Sequence, residues 1–247
     1  MFDKQFEMRY FEMNNFGEAT PITMVTLLEE AASEHCDAIN HNLFQLSQQN
    51  IGWVLISGFM RMNRYPVYKE KITIRTWISG YTSTRGYREN IILDEKHNII
   101  GRAKGLWLFY DVMKRKPKKI FETIQDKWPC FPAQSMGYDI DKKIAPITTG
   151  KYENRFKVHK YDIDAYNHVN NLRYLQWVLE TIPTDIEKSH FLHSIEARFI
   201  NEAHYAHEVA SLTEHDELTN LFSHTIKDIT ENYTCSIGNS SWKKRVA

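Results

Sequence analysis

The residues best suited to chemistry lie in one short polar segment, directly ahead of an apolar segment with helical spacing. The segment brings together carboxylates, an imidazole and side-chain amides, which are groups that proteins use to transfer protons. Its members are Asp162, Asp164, Asn167, His168, Asn170 and Asn171. Such a cluster is unusual for a purely structural segment, although the same residue types also cap helices and form turns.

The apolar segment that follows predicts a helix from Leu172 to about Ile182. Its polar residues Arg173, Gln176 and Glu180 form one narrow stripe, and apolar side chains cover the remaining faces. The sequence therefore predicts a helix that is mostly surrounded by protein, with the polar segment at its N-terminal end.

The first half of the chain predicts one strand, one long helix and a run of antiparallel strands. Thr20 can cap the helix and Pro21 can occupy its first turn, and the apolar spacing continues to about Ile39. Residues 40–50 are polar and read as a connection. Alternating patterns predict strands at 7–12, 53–62, 71–79, 87–93 and 101–112.

The second half repeats this order of elements. After the polar segment and its helix, strands are predicted at 193–200, 208–215, 221–229 and 233–240, and a strand at 152–161 precedes them. Prolines and glycines lie between residues 124 and 150 in a stretch without sustained periodicity, and residues 134–150 are predicted to form a linker. The fold class is therefore α+β, with an N-terminal domain at 1–133 and a C-terminal domain at 151–247.

Composition excludes several classes of function. The chain has 31 Lys and Arg against 31 Asp and Glu, so no global field directs it to nucleic acid. No apolar targeting region or run of about 20 apolar residues occurs, and we expect a cytoplasmic protein without a membrane span. The three cysteines are far apart and form no CxxC pair, which predicts free thiols and no zinc site. No cofactor or metal is implied.

Several sequence motifs are spread over both halves of the chain. They are Leu27-Leu28-Glu29-Glu30-Ala31-Ala32, Asn63-Arg64-Tyr65-Pro66, Trp77-Ile78-Ser79, Asp164 with His168-Val169-Asn170-Asn171, and Tyr174, Trp177 and Leu179-Glu180. Together they resemble the acyl-[acyl carrier protein] thioesterases, a double-hotdog family of plastids and bacteria. The resemblance covers nearly the whole chain and implies two tandem hotdog domains, each an antiparallel sheet wrapped around a central helix. It also implies hydrolysis of fatty acyl thioesters on acyl carrier protein.

The resemblance implies three catalytic positions, Asp164, His168 and Glu202. The family also places an Asn two residues before the His, where this chain has Tyr166, with Asn167 one position later. Asn167 takes that polar role after a local shift, or Tyr166 contributes its hydroxyl, or the role is vacant. Plant members often carry Cys where this chain has Ala203, so no cysteine nucleophile is possible there.

Thioester hydrolysis requires a nucleophile, donors for the oxyanion and a proton for the departing thiolate. The chain has no Gly-x-Ser-x-Gly motif, which leaves a carboxylate or a water molecule that it activates. Asp164 either attacks directly, giving a mixed anhydride, or acts with His168 and Glu202 on water. We expect backbone N–H groups at the start of the following helix to stabilise the oxyanion.

Two further sites follow from the resemblance. The acyl chain is expected in the first hotdog, against Met24, Val25, Leu28, Trp53 and Trp107, although any core would use such residues. A basic run is either a dock for the acidic acyl carrier protein, which brings its phosphopantetheine-linked substrate, or a solvated turn. Its residues are Lys114, Arg115, Lys116, Lys118 and Lys119. A homodimer is left open.

Two other functions fit part of the pattern. An acyl-CoA thioesterase shares the Asp164 to His168 spacing, and a catalytically silent acyl-binding protein is compatible with Tyr166 in place of the usual Asn. Residues near Glu18 and Ala19 occupy the place of His168 in the first half, so we expect one active centre in each chain. His204 and His207 lie near Glu202, but without a second group of ligands they do not predict a metal site.

Overall fold

The computed structural model describes residues 1–164 and 168–245, and the chain divides into two compact units, Met1–Ile140 and Asp141–Ala247. Each unit contains an antiparallel sheet and one longer helix, and both units have the same order of strands. The α+β class predicted from the sequence is therefore confirmed.

The N-terminal unit contains three helices and six strands in its described residues. The helices are α1 (Pro21–Asp37), α2 (Leu43–Gln48) and α3 (Glu122–Lys127). The strands are β1 (Phe2–Glu7), β2 (Ile51–Met62), β3 (Lys71–Tyr81), β4 (Arg85–Leu93), β5 (Ile99–Asp111) and β6 (Lys116–Pro117). The strand order in the sheet is β1-β3-β4-β5-β2, and the short β6 pairs with β5. Single turns of 3-10 helix lie at Tyr10–Glu12 and Pro132–Gln134.

The described residues of the C-terminal unit form two helices and five strands. The helices are α4 (Asn171–Leu179) and α5 (Thr184–Ser189), and a 3-10 turn lies at Lys160–Asp162. The strands are β7 (Tyr152–Lys157), β8 (His190–Phe199), β9 (Glu208–Asp216), β10 (Leu221–Asp228) and β11 (Tyr233–Lys244). The strand order in the sheet is β7-β9-β10-β11-β8, which matches the order β1-β3-β4-β5-β2 of the N-terminal unit.

Helix α1 begins where the sequence predicts. The Thr20 hydroxyl accepts a hydrogen bond from the Thr23 N–H at 3.0 Å, and Pro21 stands in the first turn, where its missing N–H has no cost. One face of the helix is buried, and burial of each large apolar side chain contributes about 1.5–3 kcal/mol. The buried residues are Met24, Leu27, Leu28, Ala31, Ala32, His35 and Cys36.

A buried guanidinium ties α1 to the sheet of its unit. Arg88 on β4 donates to His35 Nδ1 at 3.0 Å and to Thr76 Oγ1 at 2.9 Å, and it stacks over the Trp128 ring. Burial, with the Arg88 charge as the second cause, lowers the pKa of His35 to about 3. The imidazole is therefore neutral at pH 7 and can accept the hydrogen bond.

Helix α4 covers the sheet of the C-terminal unit with Tyr174, Leu175, Trp177 and Val178. On β10, beneath this helix, His224 bonds to Thr213 and Ser240, and complete burial lowers its pKa to about 3. The small cavity between helix and sheet measures about 10 Å³. That is room for about one water molecule and not for an acyl chain.

The first predicted strand, at 7–12, is wrong. The strand ends at Glu7, and the chain then turns through a 3-10 helix in which Glu12 accepts the Arg9 N–H at 2.7 Å. Of the apolar residues in the predicted strand, Met8 is buried, whereas Tyr10 and Phe11 are exposed. The strand predicted at 152–161 ends at Lys157 for a similar reason. A local side-chain to backbone bond competes with the strand ladder in both places.

The polar stretch 40–50 is not a simple connection, because it contains α2. Asn42 and Gln45 form a reciprocal capping box there, which stabilises a short helix in a polar sequence.

Both Cys36 and Cys235 are buried, Cys130 is exposed, and all three are free thiols as predicted. No helix in the described part of the chain is long and apolar enough to cross a membrane.

Candidate active site

The candidate site is built on the loop between β7 and α4. The His159 N–H donates to Asp162 Oδ2 at 2.7 Å, and Arg173 on α4 pairs with Asp162 Oδ1 at 3.1 Å. The Asp162 carbonyl accepts the Asn170 N–H at 2.8 Å. Asp162 therefore closes the loop and is fully engaged in its structure, which agrees with a capping role.

Asp164 and His168 face each other across this loop. The Asp164 N–H donates to the His168 carbonyl at 2.8 Å, and the His168 N–H approaches Asp164 Oδ1 at 3.3 Å. An isolated bridge between Ile163 and Val169 holds the two arms of the loop together. The backbone thus places residues 164 and 168 opposite one another, with the Asp164 carboxylate on the His168 N–H.

Glu202 completes the group from the loop that follows β8. Its Oε2 lies 3.1 Å from His168 Nε2, and both side chains are about one third exposed, at 42% and 34%. A carboxylate can only accept, so this contact places a proton on Nε2. In a neutral ring Nδ1 then carries the lone pair that can take a proton. The three residues predicted from the sequence therefore meet at one place.

The N-terminal unit contains the same loop with different side chains. The Asn14 N–H donates to the Glu18 carbonyl at 2.7 Å, and the Glu18 N–H donates to Asn14 Oδ1 at 3.1 Å. A bridge between Met13 and Ala19 again joins the arms. An amide and a carboxylate thus stand where the second unit has Asp164 and His168. The hydrogen bonds between the two arms of the loop do not depend on the residue types at these two positions.

Two predicted participants are not placed by the structure. Asn167 and Tyr166 lie outside the described residues, so their competition for one polar role stays a question for experiment. Ala203 is fully buried, and its N–H donates to the Tyr174 hydroxyl at 2.8 Å.

The expected oxyanion donors are only partly available. The Leu172 N–H donates to Asn170 Oδ1 at 2.9 Å, and the Arg173 N–H donates to the Asn170 carbonyl at 2.8 Å. Asn170 therefore acts as the N-cap of α4 and engages both groups. The expectation that helix N–H groups stabilise the oxyanion is wrong for these two.

The histidines near Glu202 have separate roles. His207 Nδ1 lies 2.6 Å from Asp228 Oδ2, and Asp228 is completely buried. The ring of the exposed His204 lies 5.3 Å from that of His207 and 6.5 Å from that of His168. Within residues 1–164 and 168–245, no three His, Cys, Asp or Glu side chains are grouped closely enough to hold a metal ion.

The residues predicted to line an acyl pocket lie in the N-terminal unit. Met24 and Leu28 are buried on α1, while Val25, Trp53 and Trp107 are partly buried. Trp53 packs 4.8 Å from Phe109 in a core cluster that also contains Cys36 of α1. These contacts are equally those of a core, and they do not test acyl binding.

The basic run begins in the turn between β5 and β6 and continues through β6 to Lys119. Its basic residues are exposed except Lys118, which is partly buried. Lys114 lies 4.0 Å from Asp111 and Lys119 lies 3.5 Å from Glu122, so two of its charges have acidic neighbours. Lys118 stacks over the Phe121 ring at 5.7 Å. Arg115 and Lys116 are exposed, and neither has an ion pair with another described residue.

Two residues for which the sequence predicts no role, Tyr233 and Asp228, lie next to the backbone at Glu202. The Tyr233 hydroxyl donates to the Glu202 carbonyl at 2.6 Å, and Asp228 lies opposite Tyr233 at the end of the β10–β11 hairpin. Neither residue belongs to a motif, and only the strand register brings them to the site. Tyr174 belongs to a motif that carries the family resemblance, and the sequence predicts no role for it.

Comparison with protein families gives two matches. Residues 1–128 match the family described as acyl-ACP thioesterase N-terminal domain, and residues 147–244 match the acyl-ACP thioesterase C-terminal domain. The chain is 26% identical to the chloroplastic oleoyl-acyl carrier protein thioesterase of Coriandrum sativum, over 86% of the chain. It is 22% identical to the chloroplastic acyl-[acyl-carrier-protein] hydrolase of Cuphea viscosissima, over 100% of the chain. The chain spans 62% and 63% of the length of these two relatives.

Two solved structures have the same fold. The 12:0-ACP thioesterase from Umbellularia californica gives a TM-score of 0.87 at 19% identity, with 99% of this chain and 97% of that chain covered. A putative oleoyl thioesterase from Lactobacillus plantarum gives 0.87 at 22% identity, with 100% and 96% covered. The likeness confirms the predicted fold of two tandem hotdog domains.

Proposed function

The chain belongs to the acyl-ACP thioesterase family, and we propose that it hydrolyses fatty acyl thioesters of acyl carrier protein to free fatty acid and carrier protein. The observation that carries this proposal is the meeting of Asp164, His168 and Glu202 on one loop pair of the C-terminal unit. The names of the relatives, which are thioesterases or hydrolases of acyl carrier protein substrates, support the same reaction.

The proposed chemistry follows from the proton positions at His168. Glu202 holds the proton of Nε2, so Nδ1 is the acceptor of the neutral ring. In one route, water attacks the thioester carbonyl carbon while Asp164 and His168 take its proton, and the C–S bond then breaks. In the other, Asp164 attacks to give a mixed anhydride, which water hydrolyses. In both routes the thiolate leaves on the carrier and recovers a proton from the site.

The function is tested by offering the purified protein acyl carrier protein and CoA thioesters of matched acyl chains. We expect a higher kcat/KM for the carrier-protein thioesters, measured as released thiol and free fatty acid. Equal or faster turnover of the CoA thioesters would reassign the protein as an acyl-CoA thioesterase. No turnover of either, with acyl-carrier binding retained, would indicate a silent acyl-binding protein.

The basic turn between β5 and β6 is proposed as the dock for the carrier protein. Arg115 and Lys116 support this assignment because they are exposed and have no acidic partner among the described residues. Acyl carrier protein is acidic, and complementary charge at the rim of a contact mainly raises the rate of association.

We expect the double variant Lys116→Glu/Lys118→Glu to raise KM for the carrier-protein thioester about three- to tenfold, with kcat unchanged. A pantetheine thioester of the same acyl chain lacks the protein surface, so its KM should not change. The matched control is Lys96→Glu/Lys188→Glu, which makes the same charge change at two other exposed lysines. An unchanged KM in the first variant would make the basic run a solvated turn.

A further inference from the structure

The loop that carries Glu202 is held by an unusual pair of contacts. The Tyr233 hydroxyl donates to the Glu202 carbonyl at 2.6 Å, and the Tyr174 hydroxyl accepts the Ala203 N–H at 2.8 Å. The carbonyl of residue 202 and the N–H of residue 203 belong to one peptide group, which is planar and rigid. Two phenols from two different elements therefore hold both polar ends of a single peptide.

Fixing this peptide fixes the direction in which the Glu202 side chain leaves the backbone. The Glu202 carboxylate is partly exposed and pairs with His168 at 3.1 Å, and no other described residue forms an ion pair with it. A partly exposed carboxylate has many rotamers, so its position depends on the backbone beneath it. Ala203 is fully buried and fills the space behind the peptide.

The Tyr233 hydroxyl, which is the donor in this pair of contacts, lies near the buried carboxylate of Asp228. Burial and the adjacent Asp228 carboxylate raise the pKa of Tyr233 to about 12, so its hydroxyl keeps the proton that it donates. Asp228 is completely buried and also accepts the Glu231 N–H at 3.0 Å and lies 2.6 Å from His207 Nδ1. The hydroxyl of Tyr174 is anchored through its ring, which packs 5.4 Å from Trp177 on the same helix.

The N-terminal unit has the same fold but none of these hydroxyls. Tyr174 is the fourth residue of α4, and the fourth residue of α1 is Met24. The last pair of the β10–β11 hairpin is Asp228 and Tyr233, and in the register of the strands the N-terminal unit has Asp94 and Asn98 in these places. The carboxylate is thus kept in both units, whereas both phenols are absent from the unit that has Glu18 in place of His168.

The peptide itself also differs between the units. Val158 exchanges hydrogen bonds with Ala206 and His207. Met8 does the same with Lys69 and Glu70. In this register the equivalent of Ala203 is Pro66, which has no N–H to donate. A phenol at the position of Tyr174 would have no such partner in the N-terminal unit. The same strand order therefore forms in the N-terminal unit without either hydroxyl.

We propose that Tyr174 and Tyr233 are positioning residues, which hold the Glu202–Ala203 peptide so that the Glu202 carboxylate meets His168. The assignment rests on the proposed function for its effect on turnover, but not for its effect on geometry. Neither tyrosine touches the reacting atoms; each acts through Glu202.

The test uses Tyr174→Phe and Tyr233→Phe in the full chain, because Phe keeps the ring and removes only the hydroxyl. We expect each to lower kcat about tenfold with KM changed less than twofold, the loss of one hydrogen bond. In a Glu202→Gln background, each tyrosine substitution should change kcat less than twofold, since the group that it positions is already disabled. An equal loss in both backgrounds would overturn the proposal.

A second readout is independent of turnover. The ring signals of His168 in an NMR spectrum are identified by their absence in His168→Gln, and at fixed pH we expect both Phe variants to move them toward their position in Glu202→Gln. The control is Tyr205→Phe, in the same loop, where the side chain is 55% exposed; it should leave signals and kcat unchanged. Unmoved His168 signals in both Phe variants would overturn the proposal even if the protein proves to have no thioesterase activity. If Tyr174→Phe does not fold, the less buried Tyr233→Phe decides.

Discussion

Asp164→Asn is expected to lower kcat by about 10²- to 10⁴-fold, the usual contribution of a residue that transfers a proton or supplies a nucleophile. Both proposed routes require the negative charge of this carboxylate, and an amide has neither the charge nor the basicity. KM should change little, because Asp164 belongs to neither the proposed acyl pocket nor the proposed carrier dock. The measurement is steady-state turnover of an acyl carrier protein thioester.

The choice of Asn follows from the N-terminal unit. There Asn14 holds the same loop, with Oδ1 accepting the N–H groups of Phe16 at 2.9 Å and Glu18 at 3.1 Å. An amide at position 164 can make the corresponding bond to the His168 N–H, so the loop should keep its shape. Asp164→Ala removes this bond as well as the charge and cannot separate the two effects.

The chain also provides a matched control, Asn14→Asp. It makes the reverse exchange in the loop that has Glu18 in place of the imidazole, and kcat should stay within about twofold of the original. Melting temperatures of both variants report whether either loop has been disturbed. If Asp164→Asn keeps more than a tenth of the activity with an unchanged melting temperature, Asp164 is neither the nucleophile nor the base.

The sequence alone predicts those helices and strands in which the apolar residues follow one clear periodicity. The strands around Trp53 and Trp77 and the helix from Pro21 were predicted almost to the residue, because alternation, the Thr20 cap and the proline agree with one another. The strand predicted after Glu7 failed where the Glu12 side chain captures the backbone, and single-residue patterns do not contain that competition.

The residues of the candidate site also differ in how well the sequence alone predicts them. Asp164 and His168 are close in sequence, so a local motif can reveal them. Glu202 could be suggested only by resemblance, because its approach to His168 depends on the length of β8 and on the loop after it. Tyr233 and Asp228 meet through the register of a hairpin, which no pattern of residue types specifies. The placement of residues that are far apart in sequence is therefore the part of the site that the sequence alone does not predict.

His168 and Glu202 are expected to act as one unit. Glu202 lies 3.1 Å from Nε2 and selects the ring form in which Nδ1 is the proton acceptor. Removing the imidazole by His168→Gln should lower kcat by about 10²- to 10³-fold. Glu202→Gln leaves the ring but no longer favours that form, and should lower kcat about 10- to 100-fold.

The double variant His168→Gln/Glu202→Gln is expected to be no slower than His168→Gln alone, because Glu202 has no function once the ring that it orients is absent. Turnover of the four proteins under one condition gives the coupling directly. His204→Gln is the matched control, since its ring lies 6.5 Å from that of His168 and is exposed, and it should retain nearly full activity. If the factors by which the two single substitutions lower kcat multiply in the double variant, Glu202 acts on the substrate independently of His168, as a second base or a binding group. Glu202 then does not work by orienting the His168 ring.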